Sequence, residues 1–132
     1  MTNNKVIHFE IQADDVARAT DFYKKTFGWN IVQAMTAGKD GNEMDYWTVE
    51  TGPKDMPGIG GGLYLRPKDD KTYTYKCTVL VENIDDAVGA VKKNGGKITR
   101  EKMELPKIGW FAEAVDTEAN LFSVMQATDW KV

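Results

Sequence analysis

The sequence predicts an α+β fold of two tandem β-α-β-β-β modules, with mixed sheets and the helices on one face. Three observations carry this. First, Val6 to Trp29 (VIHFEIQADDVARATDFYKKTFGW) reads as a strand, a cap and a helix. Second, Tyr75 to Gly96 (YKCTVLVENIDDAVGAVKKNGG) repeats the plan, and a shift of 68 residues lays Asp15 on Asn83, Val16 on Ile84, Ala19 on Ala87 and Gly28 on Gly96. Third, each helix is followed by strand-like runs that form hairpins. Alternating strands and helices alone would suggest a parallel doubly wound sheet; hairpins between consecutive strands argue for mixed sheets. Each half alone has too little apolar surface, so the two should pack or pair.

The opening strand is rich in β-branched and aromatic residues. Alternation puts Phe9, Ile11 and Ala13 on one face and His8, Glu10 and Gln12 on the other. Asp14 and Asp15 stop the strand and offer a carboxylate cap. Val16, Ala19, Phe22, Tyr23 and Phe27 then recur at helical spacing, and Gly28 ends the helix. This stripe needs the Phe9/Ile11 face as its partner, so His8 and Glu10 point to the other side of the sheet. Trp29 to Met35 and Met44 to Glu50 read as strands of a hairpin around the turn Thr36 to Glu43. Gly58 to Leu65 (GIGGGLYL) is a weak strand whose glycines let a backbone or ligand approach closely. No Lys-Ser/Thr pair or helix follows it, which discounts a phosphate loop.

Arg66 to Thr72 is the linker, giving modules of about residues 5–66 and 73–128 within one domain spanning 1–132. In the second copy Asn83 caps a helix with the stripe Ile84, Ala87, Val88 and Val91. Asn94-Gly95-Gly96 stops it. Lys97 to Glu104, Trp110 to Val115 and Leu121 to Ala127 are the remaining strands, the last two joined by the turn Asp116 to Asn120. By alternation Cys77 faces the helix and is expected to be an inert buried thiol.

The composition, 42% hydrophobic and 28% charged, is that of a globular domain. A net charge of −3 argues against binding a phosphate backbone, so no nucleic-acid partner is expected. No apolar run suits a membrane span or a signal peptide, so a cytoplasmic location is expected. A single cysteine excludes an internal disulfide and a thiolate metal cage.

This plan and four segments, HFEIQADDVARATDFYKKTFGW, GIGGGLY, IGWFAEAVDTEAN and FSVMQ, resemble the vicinal oxygen chelate superfamily. That group includes the glyoxalase, bleomycin-resistance and ring-cleaving dioxygenase families. The nearest likeness is to its short glyoxalase-related members. The resemblance implies that the two modules curve their sheets around an open barrel-like cavity that holds ligand and metal. It also implies a homodimer, since short members commonly pair. Of four inherited metal-ligand positions, His8 keeps a histidine. The equivalent position in the second copy is Lys76, the final-strand position is Ser123, and Gly58 to Leu65 offers no carboxylate or imidazole. One imidazole does not hold a divalent ion against water. The turn reads Asp116-Thr117-Glu118-Ala119-Asn120, and Ala119 carries strain if that position needs positive φ.

The candidate cavity residues are therefore His8, Glu10, Trp47, Lys76, Trp110 and Ser123, with Tyr46 and Tyr64 as further aromatic candidates. Glu10 and Lys76 are expected to form a buried ion pair in place of the metal charge. No cofactor is expected; zinc, nickel, iron or manganese at His8 is the alternative. Three functions follow. One is binding of a small organic ligand without metal. Another is a metal-dependent lyase, isomerase or dioxygenase with rearranged ligands. The third is an accessory subunit whose cavity is vestigial.

Overall fold

The computed structural model describes residues 4–128. Its elements run β1 (Val6–Ala13), α1 (Val16–Phe27), β2 (Asn30–Met35), β3 (Tyr46–Glu50), β4 (Gly61–Leu65), β5 (Lys76–Leu80), α2 (Ile84–Lys93), β6 (Lys97–Leu105), β7 (Gly109–Val115) and β8 (Leu121–Ala127). This is the predicted α+β order, with each strand boundary within three residues of the sequence reading. Two compact units form, His8–Tyr75 and a second that takes the chain up to Ile7 and from Lys76 onward. The Leu80 amide donates to the Lys5 carbonyl at 2.9 Å inside that second unit.

In the first unit the strands lie in the order β2-β3-β4-β1. β1 and β4 are parallel while β2–β3 and β3–β4 are antiparallel, so the sheet is mixed. Phe9, Ile11, Ala13, Ile31, Val49 and Leu63 form the core, and Val16, Ala19 and Tyr23 of α1 pack on it. The Asp15 carboxylate caps α1 by accepting from the Arg18 amide at 2.9 Å, and Gly28 closes it at φ 72°, where only glycine is free of Cβ strain. The stripe is narrower than predicted. Phe22 and Phe27 are 56% and 61% exposed, because the sheet beneath reaches only the Val16–Ala19–Tyr23 line. Phe27 instead lies against Trp29, ring centroids 5.4 Å apart.

The second unit repeats the arrangement as β5-β8-β7-β6, with β5–β8 parallel and the rest antiparallel. Its core is Val81, Ile84, Ala112 and Val124, packed by Ala87 and Val88 of α2. Asn83 caps α2 through the Asp86 amide at 2.9 Å. Cys77 corrects the expectation of a buried thiol: it is exposed, because it lies near the start of β5, short of the Val79–Val81 stretch that joins the core with α2. In the β7–β8 turn Ala119 does adopt φ 68°. Asp116 holds that turn with its carboxylate, accepting from the amides of Glu118 at 2.8 Å and Asn120 at 2.9 Å and from the Asn120 side chain at 3.0 Å. These bonds, those from Asn120 foremost, hold its pKa below the ordinary value.

Candidate functional site

In the first unit the polar face of β1 points away from α1, as the alternation requires. β1 pairs with β4 in the register Glu10↔Gly62 and Gln12↔Tyr64, and β3 pairs with β4 through Thr48↔Gly62. His8, Glu10, Gln12, Gly62, Tyr64, Tyr46 and Thr48 thus share one sheet face.

Tyr46 is the hub of this face. Its hydroxyl donates to Glu10 Oε2 at 2.9 Å, and its oxygen lies 3.0 Å from His8 Nε2. A phenol has one hydrogen, which goes to the carboxylate. With that hydrogen on the carboxylate, the His8 tautomer protonated at Nε2 is the one that completes the network. His8 Nε2 is also 3.6 Å from Glu10 Oε1. Burial, followed by the Glu10 charge and hydrogen bond, pushes the Tyr46 phenol well above its ordinary pKa. The phenol is therefore a neutral donor across the physiological range.

The glycine-rich strand makes this geometry possible. A Cβ at Gly62 would overlap the Tyr46 hydroxyl and lie 2.6 Å from Glu10 Oε2. A Cβ at Gly61 would overlap Phe9, and one at Gly60 would sit 2.8 Å from the Val49 carbonyl oxygen. The close approach read from the sequence is thus an approach of this chain's own side chains and backbone. Further along the face, Gln12 Nε2 donates to Tyr64 Oη at 2.9 Å and to Asp70 Oδ2 at 2.8 Å. The Tyr46 and Tyr64 rings lie 6.3 Å apart, 23° from parallel.

Within the second unit the candidates join a network of their own side chains. Lys76 is 6% exposed and donates to Glu113 Oε2 at 2.6 Å; Arg100 Nε reaches Glu113 Oε1 at 3.3 Å. Within its own unit the carboxylate against Lys76 is Glu113, since β7 brings Glu113 opposite Ser123 on the face that Lys76 shares. Ser123 and Thr78 share a buried hydrogen bond of 2.7 Å.

Two candidates move off the site. Trp47 pairs with Leu63 and packs on the core beneath α1. Trp110 packs on the core beneath α2, with the Lys102 ammonium 4.9 Å from its ring centroid. Trp47 and Trp110 lie on the core side of their strands, so Tyr46 takes the polar face of the first unit and Glu113 that of the second. Gln12 and Tyr64 also belong to the constellation.

The inherited metal positions do not fit a metal. His8 Nε2 is engaged with the Tyr46 hydroxyl at 3.0 Å. The Lys76 ammonium is a donor already bound to a carboxylate, and the Ser123 hydroxyl is shared with Thr78. Among the described residues no three His, Cys, Asp or Glu side chains group to hold an ion. A surface recess of about 180 Å³ beside the end of α2, floored by Val91, Val115 and Phe122, is lined by Asp116 but by none of the candidate residues. No helix among the described residues is long and apolar enough to cross a membrane.

Residues 5–52 match the family of bleomycin resistance protein-like N-terminal regions. The chain is 28% identical over 123 residues to a glyoxylase-like domain-containing protein of Didymella fabae, covering 92% of this chain and 93% of that protein. A hypothetical protein from Bacillus halodurans has the same fold with a TM-score of 0.72 at 13% identity, over 98% of this chain and 99% of that one. Methylmalonyl-CoA epimerase of Streptomyces coelicolor, in complex with 2-nitronate-propionyl-CoA, aligns with a TM-score of 0.69 at 12% identity over 98% of each chain. The fold, the matched N-terminal region and the fungal relative all support a likeness to the vicinal oxygen chelate superfamily.

Proposed function

We propose that this protein binds a small organic molecule without a metal ion, in the manner of the bleomycin-resistance branch, through the His8–Glu10–Gln12 face of its first unit. One observation carries the reading. The Tyr46 hydroxyl bridges His8 and Glu10 at 3.0 and 2.9 Å, so the donors that would face a cation face a phenol. A divalent ion needs about three or four protein donors. Here it would have to displace the Tyr46 hydroxyl from His8 and from its charge-assisted hydrogen bond to Glu10. What remains is a half-buried polar face with two tyrosines, the kind of lining that orients a small ligand.

The test is the metal content of protein purified without chelator. The expected result after dialysis is far less than one equivalent of zinc, nickel, iron or manganese. Near one equivalent retained, or a metal-dependent turnover lost on His8→Ala, overturns the reading in favour of a metal-dependent lyase, isomerase or dioxygenase.

A further inference from the structure

The first unit carries a connected row of aromatic rings that its own core only half covers. Phe22 meets Tyr23 edge-on with centroids 5.2 Å apart. Tyr23 stacks on Trp29 at 5.0 Å and 7°, and Trp29 leads on to Phe27 at 5.4 Å. Tyr75 joins through its hydroxyl, which donates to the Tyr23 hydroxyl at 2.8 Å, while its ring stacks on Phe9 at 5.4 Å. The inner members, Tyr23 and Trp29, are half-buried against the core. The outer members, Phe22, Phe27 and Tyr75, are 56%, 61% and 47% exposed. Single apolar residues scattered on a surface are ordinary, but a contiguous patch marks a place where something binds.

The size of the patch and the charges around it choose the occupant. At about 200 Å² for a whole aromatic residue, the three outer members leave roughly 330 Å² in water. A stable interface takes about 800 Å² from each partner, of which about 57%, or roughly 450 Å², is apolar. The row supplies about three-quarters of that apolar share. Its exposed surroundings on α1 are of mixed sign, with Arg18, Asp21, Lys24 and Lys25. Asp21 and Lys25 already pair at 3.0 Å and can exchange partners with an identical helix. A membrane-bound helix instead carries a face dominated by Lys and Arg. The outer strands of the two units are poor alternatives for pairing. β2 is interrupted by a register shift between Gln33 and Met35, and β6 carries Lys97, Arg100, Glu101, Lys102 and Glu104; bulges and charges both blunt an edge. We infer that the Phe22–Tyr23–Trp29–Phe27 row is a two-fold interface with a second copy of this chain. The inner rings are held by their neighbours, so little side-chain freedom is lost on pairing. Aromatic residues so placed are the usual anchors of interface cores.

The experiment is sedimentation velocity of the full chain from low to high micromolar concentration. Wild type is compared with the double variant Phe22→Gln, Phe27→Gln and with Val32→Gln, which removes an equally exposed apolar residue from β2. Wild type is expected to dimerise. The double variant is expected to raise the dissociation constant by about hundredfold or more, because a two-fold contact loses each ring twice. Val32→Gln is expected to leave it unchanged. Amide hydrogen exchange of wild type, dilute against concentrated, decides the matter even where the double variant folds poorly. Protection is expected to rise with concentration over the second half of α1 and Trp29. A wild type that stays monomeric throughout overturns the inference, and so does a dimer that the double variant leaves intact. Protection that rises along β2 or β6 instead also overturns it. A monomer that adsorbs to phosphatidylglycerol vesicles through Phe22 and Phe27 overturns it in favour of a lipid surface.

Discussion

Gly62→Ala tests the central geometry of the site with a single methyl group. Gly62 has an ordinary backbone conformation, so alanine is free of torsional strain there. On that ground alone the substitution would stabilise the protein by about 0.4–1 kcal/mol, through a stiffer unfolded chain. Sterics oppose this. The new Cβ overlaps the Tyr46 hydroxyl and stands 2.6 Å from Glu10 Oε2, so the phenol must leave. Its bond to the Glu10 carboxylate is lost, about 1.5–3 kcal/mol, and with it the His8 bond, about 0.5–1.5 kcal/mol. Steric loss outweighs backbone gain, for a net cost of about 2–3 kcal/mol. For a chain of 132 residues each kcal/mol is about 4 °C of melting temperature, which makes the expected fall about 10 °C. The assay is thermal and urea unfolding of wild type, Gly62→Ala, Tyr46→Ala and the double variant. Once Tyr46 is truncated, the alanine should be neutral or mildly stabilising, a coupling of about 2–3 kcal/mol. A Gly62→Ala protein that melts with wild type, or one whose cost is the same in both backgrounds, refutes the argument.

Four more outcomes follow from the same structure. Tyr46→Phe should cost about 1.5–3 kcal/mol near neutral pH. Because folding raises the pKa of this phenol, its contribution is full below the ordinary tyrosine value of about 10 and declines as the pH rises beyond it. The gap between wild type and variant should therefore narrow above pH ~10, and a constant gap in urea unfolding up to that range and beyond contradicts this. Ala119→Gly should relieve the φ 68° residue and stabilise by about 1 kcal/mol, seen as a higher urea midpoint at unchanged slope. Lys76→Met leaves the half-buried Glu113 with the more exposed Arg100 and should cost about 3 kcal/mol, whereas Lys76→Met with Glu113→Met should recover most of it; equal losses in denaturant titrations would count against a coupled pair. Finally, we predict a homodimer, supported by the exposed Phe22 and Phe27 on α1; sedimentation showing a clean monomer at high micromolar concentration removes it.

The local structure was legible because it is written in local chemistry. Asp15 and Asn83 cap their helices through amides three residues away. The face of β1 follows from the contrast between Phe9 or Ile11 and His8 or Glu10, and a strand whose neighbours differ so sharply has only one way to face. Where that contrast is missing, the reading failed. Tyr46 and Trp47 are both aromatic, as are Trp110 and Phe111, so alternation alone could not say which of each pair turns toward the core. Pairing with β4 and β8 decided it, through contacts no local pattern encodes. The same holds for the partners that define the site. Tyr46 meets Glu10 across 36 residues and Lys76 meets Glu113 across 37. The sequence determined which residues stand at the positions in question, His8, Lys76 and Ser123. Only the packed sheet decided what they meet, because a hydrogen bond between strands depends on register and on the space a glycine leaves, and both are properties of the assembled unit.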